Sequence, residues 1–380
     1  MDWQVLFGPG ERVIALPDWK QPRMIISARS AVDRWKDSGY YFARRHRAKL
    51  YKLLLRVRAL SGVVAPQDCN RSDWPLADFL EGRYGELMQP VVYVGTPCAA
   101  HKWLICIRDR AGVAQAYVKW GCSPSARLRI KQEYDILTQL PRGLGPEPIK
   151  LGELGSGLAM AVRPIHGKAV HAREKGVHSR MAAFLETLLV HTPMPVCEHP
   201  GFKPLIDDAP DTILSWVDQL RDTEWPVAIQ HGDLAPWNLL TVAGDELSAQ
   251  EKMAAVDWEY ARLQGIPYLD AAYYYLQIEA LLRRSDPMTA VNSVVARLSK
   301  KPWPALSERH ARAMVSLAAY DAWQHAIADG DSAAEPLQQW QRAIWDQQPA
   351  RRRSVAVSTA RMPTQGSSVV SVGSVPRGPM

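Results

Sequence analysis

The chain has 380 residues, 47% of them hydrophobic, enough to bury a substantial core and divide into two or more lobes, and no apolar run is long enough to span a bilayer. Its formal net charge of +7 has a local origin: between Ser38 and Gln67 there is no Asp or Glu, while Arg44, Arg45, Arg47, Lys49, Lys52, Arg56 and Arg58 supply seven positive charges. A global basic field is thereby excluded and no nucleic-acid partner is expected, while five cysteines without a CxxC spacing argue against a disulfide framework or a zinc knuckle.

In chain order, the first residues, MDWQVLFGPGERV, carry Asp2 and Glu11 where a signal peptide would be basic and then apolar, so a cytoplasmic protein is expected. Residues 1–88 read as an N-terminal extension. A turn-rich start, GPGERVIALPDWKQPR, is followed by a cationic helix in ARRHRAKLYKLLLRVRAL, with Leu50, Leu53, Leu54 and Val57 on one face, and then by a loop rich in Pro, Asp and Gly. Such a helix either packs its leucines on the body of the protein, the reading preferred, or lies through residues 44–60 on a membrane or other anionic surface.

Residues 89–167 read as a small α+β lobe. VVYVG, HKWLICIRD and VAQAYVKWG are antiparallel strands, ARLRIKQEYDILTQL is a helix with Ile130, Tyr134 and Leu137 on one face, and PIKLGELGSGLAMAVRPIHG is a further strand pair. Residues 168–348 are helix-dominated apart from a short strand–loop–strand around IQHGDLAPWNLL. Residues 349–380, rich in Ser, Val, Arg, Pro and Gly without periodicity, are expected to be disordered.

The chemistry concentrates around IQHGDLAPWNLL. Asp233, held after His-Gly at a strand-to-helix connection, can accept a proton from an attacking hydroxyl, and Asn238 can place an oxygen on a hard cation. Magnesium prefers oxygen ligands and keeps water or phosphate in its remaining positions, so one further carboxylate suffices; MAAVDWEYA supplies Asp257 at the mouth of an apolar strand. Alone, such an Asp is more often a turn former, but downstream of HGDLAPWN the balance reverses. Phosphoryl transfer also needs a cation on the nucleotide phosphates and something to hold that cation. Lys119 is the lone charge in the strand AQAYVKWG, where a lysine snorkelling from an edge is an equal reading by itself. Glu133, on the inward face of the helix where an unpaired carboxylate is costly, is its expected partner.

HGDLAPWN followed by VDWE, with a strand lysine and a helix glutamate upstream, resembles the aminoglycoside phosphotransferase and choline kinase group of protein-kinase-like enzymes over roughly residues 91–275. The resemblance implies an α+β, two-lobed protein-kinase-like fold, with residues 89–167 as a small antiparallel-sheet lobe that binds nucleotide and 168–348 as a larger helical lobe for catalysis and acceptor binding. It implies that Asp233 is the catalytic base and that Asn238 and Asp257 hold Mg2+. Lys119 would contact the α- and β-phosphates of ATP, anchored by Glu133. Asp270 in GIPYLDAAYY matches an aspartate that starts a helix and supports the catalytic loop; His231 braces that loop rather than moving a proton, and Gly232 gives the backbone room. The adenine is implied to lie against Val162 to Ile165, where AVRPIHG resembles the hinge. The sequence departs from the protein-kinase pattern at the phosphate-covering turn: VGTPCAAHKW has Gly95 alone in place of GxGxxG, leaving backbone amides of residues 96–100 for that work.

The function expected is transfer of the γ-phosphate of ATP, with Mg2+, to a hydroxyl of a small molecule: a sugar, an amino alcohol, an aminoglycoside-like compound or a glycan. The alternative is a non-catalytic kinase-like module that binds nucleotide or a partner, against which the intact set of Lys119, Glu133, Asp233, Asn238 and Asp257 counts. A metal hydrolase built on Asp233 and Asp257 leaves Lys119 and Glu133 unexplained. His166, His171, His178, His191 and His199 have no ligand-like spacing and are read as solvent-facing, and the six acidic residues between Asp207 and Glu224 as a solvated face.

Overall fold

Short runs of Val, Ile and Trp place one antiparallel sheet in the first half of the chain, and longer helical patterns fill the second. A computed structural model describes residues 2–349 apart from 42–45, 84–88, 96–97, 99, 173–176, 244–250 and 301–305. The expected disordered tail therefore lies, from residue 350 on, outside the described residues. The first half runs β1 (Arg12–Leu16), β2 (Met24–Ser27), α1 (Ala31–Ser38), α2 (His46–Ser61), β3 (Gln67–Asp68), α3 (Pro75–Phe79), β4 (Gln89–Tyr93), β5 (Trp103–Arg108), β6 (Ala114–Gly121), α4 (Pro124–Leu137), β7 (Pro148–Leu154) and β8 (Gly157–Val162). Its eight strands order as β3-β1-β2-β4-β5-β6-β8-β7. Alternation sends Ile105, Val118 and Trp120 to one apolar cluster and Ile14, Ile26, Val91 and Cys106 to another.

The second half runs β9 (Gly167–Ala169), α5 (Val177–Glu186), β10 (Leu189–Met194), α6 (Lys203–Ile206), α7 (Asp211–Asp218), β11 (Trp225–Gln230), β12 (Leu239–Val242), β13 (Lys252–Ala255), β14 (Arg262–Gly265), α8 (Leu269–Gln277), α9 (Pro287–Leu298), α10 (Glu308–Ala328) and α11 (Pro336–Trp345). Two small sheets, β10-β11-β14 and β13-β12-β9, stand at its entrance. The helices bury Trp216, Tyr274, Val294 and Met314 in one core, and α4 contributes Ile130 and Leu137 to it. The α+β class with an antiparallel sheet followed by a helical region is as the sequence led us to expect.

Two readings of the N-terminal residues change. The stretch taken as a turn-rich start forms β1 and β2, which continue the sheet beyond β4: Ile25 pairs with Val92, and Ile14 with Ile26. The expected packing of the α2 leucines is also overturned: Leu50, Leu53, Leu54 and Val57 are exposed, and Leu55 and Ala59 are buried instead. The helix carries a second apolar row, Tyr51, Leu55 and Ala59, at i, i+4, i+8 spacing, and this row meets the sheet. Arg56 fixes the rotation by lying over the Trp35 ring, 4.2 Å from its centroid, and donating from Nε to Trp35 O at 3.3 Å.

Of the histidines read as solvent-facing, His166 and His171 are exposed, and the side chain of His191 lies outside the described residues. His199 is buried, where its Nδ1 accepts from Gly201 N, and His178 pairs through Nδ1 with the Tyr275 hydroxyl at 2.9 Å. All six acids between Asp207 and Glu224 are exposed. Among the described residues no helix is long and apolar enough to cross a membrane.

Candidate active site

The β12–β13 hairpin brings the two motif segments together. Leu239 pairs with Ala255, and Val256 N donates to Asn238 O at 2.8 Å, so the end of the HGDLAPWN loop lies beside the residue that precedes Asp257. Asp257 itself has φ 73°, a left-handed conformation that Asp tolerates better than most side chains, and it ends the extended run of β13. From the sheet side, Lys119 on β6 reaches down to meet it.

Lys119 Nζ lies 2.6 Å from Glu133 Oε2 and 2.5 Å from Asp257 Oδ1. The helix that presents Glu133 starts cleanly after β6: Ser123 caps it by accepting from Ala126 N, and Pro124 occupies its first turn. Glu133 is buried and accepts a further hydrogen bond from Trp258 N at 3.3 Å. Burial disfavours the Lys119 ammonium, but the two carboxylates outweigh it and raise its pKa. Enclosure in the cleft likewise raises Asp257, yet the neighbouring Lys119 ammonium prevails and holds it at about 2. Burial keeps Glu133 above the usual carboxylate range against the pull of Lys119.

The loop from His231 to Asn238 is held from three directions. Asp270, in the first turn of α8, accepts from His231 N at 2.7 Å and from Gly232 N at 2.9 Å. Burial pushes its pKa up to about 6, although these two amides oppose the rise. His231 is fully enclosed: its Nδ1 accepts from Asp233 N at 3.2 Å, which makes Nε2 the protonated nitrogen that donates to Val256 O at 3.0 Å. Burial lowers its pKa to about 4, so it is a neutral strut with both nitrogens engaged. At Gly232, φ is +80° and an added Cβ would lie 2.4 Å from Tyr260 O, so only glycine fits.

Asp233 is half-buried, and each of its carboxylate oxygens has a donor. Tyr273 donates its hydroxyl to Oδ1 at 2.7 Å, and Asn238 Nδ2 donates to Oδ2 at 3.0 Å as well as to Asp233 O at 2.9 Å. With its nitrogen committed, Asn238 is left to present its amide oxygen. Carboxylate oxygens of Glu133, Asp257 and Glu259 lie within 4.8 Å of one another. An all-oxygen donor set of this kind fits Mg2+ in chemical type, and the backbone of Asn238 meets that of Val256, the residue before Asp257.

Two residues went unread in the sequence. Tyr273 lies three positions after Asp270 on α8 and so shares its face; that spacing was the available signal. Lys102, just before β5, forms an ion pair with Glu259. Leu104 is opposite Lys119 in the β5–β6 register, which puts Lys102, two residues earlier, on the same face of the sheet as Lys119. Burial first, and the Lys119 charge second, lower the Lys102 pKa. Of the remaining expected residues, Gly95 has φ +76° and its carbonyl accepts from Arg23 Nη1 at 2.7 Å. Val162 closes β8, and Ile165 lies in the irregular link to β9. A groove of about 920 Å³ between α4 and the β11–β14 edge is lined by Leu128, Lys131, Gln132 and Ile229, and none of Lys119, Glu133, Asp233, Asn238 and Asp257 borders it.

No protein-family model matches the chain, and no curated protein sequence does. Among solved structures, aminoglycoside phosphotransferase APH(4)-Ia is 15% identical, with 72% of this chain and 96% of that one covered at a TM-score of 0.46. Plasmodium vivax ethanolamine kinase is 12% identical, with 82% and 95% covered at a TM-score of 0.46. APH(3'')-Id from Streptomyces rimosus is 16% identical, with 63% and 94% covered at a TM-score of 0.37. A thermostable APH(4)-Ia mutant has been solved in a ternary complex with ADP and hygromycin B. The chain is thus similar, over most of its length, to solved aminoglycoside phosphotransferases and to an ethanolamine kinase.

Proposed function

We propose that the protein is a phosphotransferase that moves the γ-phosphate of ATP to a hydroxyl of a small molecule, using Mg2+. The observation that carries this reading is Lys119 between two carboxylates, 2.6 Å from Glu133 and 2.5 Å from Asp257, at the meeting of the sheet with the HGDLAPWN loop. A metal hydrolase built on Asp233 and Asp257 leaves a lysine anchored in this way unexplained; a nucleotide phosphate gives it a role.

In this reading Lys119 supports the α- and β-phosphates, and Glu133 keeps its ammonium in place. Asn238 and Asp257 would hold the magnesium ion, which would supply neutralisation of the phosphate charge. Asp233 takes the proton of the acceptor hydroxyl. Tyr273 and Asn238 each hold one of its two oxygens, which fixes the orientation of the carboxylate that receives that proton. His231 is neutral and has both nitrogens engaged, which suits bracing and not proton transfer. Val162 to Ile165 offers the backbone against which the adenine lies, and Gly95 lets the turn after β4 approach the phosphates. The acceptor belongs to the class of sugars, amino alcohols and aminoglycosides.

The test is ADP release from Mg2+–ATP against a panel of such acceptors. Acceptor-dependent turnover that disappears in Asp233→Asn supports the reading. ADP release that never exceeds the acceptor-free rate, in a protein that also fails to bind Mg2+–ATP, contradicts it.

A further inference from the structure

We infer that the outer face of α2 is a docking surface for an anionic lipid bilayer. Leu50, Leu53, Leu54, Val57 and Leu60 are 41% to 70% exposed, and all five fall on the side of the helix that faces away from the sheet. At about 100° per residue they occupy a sector of roughly 120°, the width of a stripe that ordinarily faces a core. The stripe cannot be the core-facing side of this helix, because Leu55 and Ala59 already fill that place against Ile14, Met24 and Ile26.

The borders of the stripe are cationic on both sides. Lys49 falls along one edge in the same projection and Arg58 along the other, with Arg56, held over Trp35, beside Lys49, within a stretch, Ser38 to Gln67, that contains no Asp or Glu. An aliphatic stripe between basic edges is the pattern of a helix lying in the plane of a membrane interface, apolar side chains among the acyl chains and cations among the headgroups. The helix is 16 residues long, about 24 Å, and its exposed aliphatic side chains run from Leu50 to Leu60.

Charge and composition select the lipid over the other occupants. A second copy of the chain would set Lys49, Arg56 and Arg58 against the same charges, with no acidic residue in the stretch to offset them. The stripe also holds only Leu and Val, whereas protein interfaces concentrate their binding in Trp, Tyr and Arg anchors. A bilayer needs no anchor pocket, only aliphatic area and positive charge.

The experiment is co-sedimentation of the full chain with phosphatidylcholine vesicles, with and without about one-third phosphatidylglycerol, at low and high salt. The wild type is expected to pellet with the anionic vesicles at low salt, much less at high salt, and not with the zwitterionic ones. Replacing Leu50, Leu53 and Val57 by Ser is expected to weaken binding by about tenfold or more while leaving melting temperature and Mg2+–ATP affinity unchanged, since the removed side chains are exposed. Lys49→Glu, which keeps the stripe, is expected to weaken it by roughly fivefold or more. Wild type that stays in the supernatant with anionic vesicles overturns the inference, with an acidic protein helix then the occupant to seek. Pelleting equal in wild type and the triple-Ser variant overturns it also, as does a concentration-dependent dimer that the triple-Ser variant abolishes.

Discussion

The Tyr273 hydroxyl donates to Asp233 Oδ1 at 2.7 Å, from a helix whose first turn also carries Asp270, the residue that fixes the backbone of the same loop. One rigid element thus sets both where the loop runs and where its carboxylate points. Tyr273→Phe removes only the second of these. A hydrogen bond to a charged group contributes about 1.5–3 kcal/mol, so turnover should fall roughly tenfold to a hundredfold with ATP affinity unchanged. Steady-state rates beside ATP titration check this; unaltered turnover would show that Asn238 alone positions the carboxylate.

Lys119 stands between two carboxylates, and the two ways of breaking the cluster are unequal. Lys119→Met leaves Glu133 and Asp257 facing each other without a cation between them, Glu133 being buried. Glu133→Gln leaves the Lys119–Asp257 pair intact. Removing one partner of a buried pair costs about 3–5 kcal/mol, so Lys119→Met should approach that figure in denaturant unfolding at neutral pH. Glu133→Gln should cost clearly less, and the reverse order would mean that Lys119 is not the centre of the cluster.

The strands β4 to β8 and helix α4 were legible in the sequence because each combines a clear apolar pattern with turn signals at both ends. β1 and β2 were not. The described burial of RVIAL and MIIS is nearly continuous, because this part of the sheet is covered on both faces, so neither strand shows alternation, and Pro17, Pro22 and the glycines before them read as turns. On α2, the row of Leu50, Leu53, Leu54 and Val57 pointed to a buried face, while the row that meets the sheet contains an alanine, Ala59, whose smallness is what lets the helix approach. In the site, Lys119, Glu133, Asp233, Asn238 and Asp257 were singled out from motif chemistry. Tyr273 and Lys102 depend on a helix face and a strand register, which no local motif spells out.

His231 and Asp270 make opposite demands on pH. The folded chain keeps His231 neutral down to about 4 where its ordinary value is 6.5, so stability from this group is lost as pH falls through that window. Asp270, raised from 3.8 to about 6, contributes stability that is present below 3.8 and lost as pH rises through 6. Each amounts to at most about 3 kcal/mol, and between pH 4 and 6 they nearly cancel. Asp270→Asn removes one side of the balance. Its unfolding midpoint should therefore drop on acidification from pH 6.5 to 4 more steeply than that of the wild type; parallel curves would contradict the assignment.

Gly232→Ala tests the tightness of the loop. The new methyl would meet Tyr260 O at 2.4 Å from a backbone already at φ +80°. Left-handed strain alone costs about 1–2 kcal/mol, and the contact forces the loop to shift, so both melting temperature and turnover should fall. A variant with wild-type melting and rate would show that the loop is looser than its packing indicates.

The central claim is that Asp233 receives the acceptor's proton and does not hold the nucleotide. Asp233→Asn keeps the local hydrogen bonds, since its amide oxygen can accept from Asn238 Nδ2 and its amide nitrogen can donate to the Tyr273 hydroxyl oxygen. The measurement is Mg2+–ATP affinity beside acceptor-dependent turnover in Asp233→Asn, Asn238→Ala and His231→Ala. The account predicts unchanged affinity with turnover down by about 10²–10⁴-fold or more for Asp233→Asn. It predicts that both quantities are impaired for Asn238→Ala, and that His231→Ala mainly loses stability. Full turnover in Asp233→Asn, or a selective chemical defect in His231→Ala alone, would contradict it.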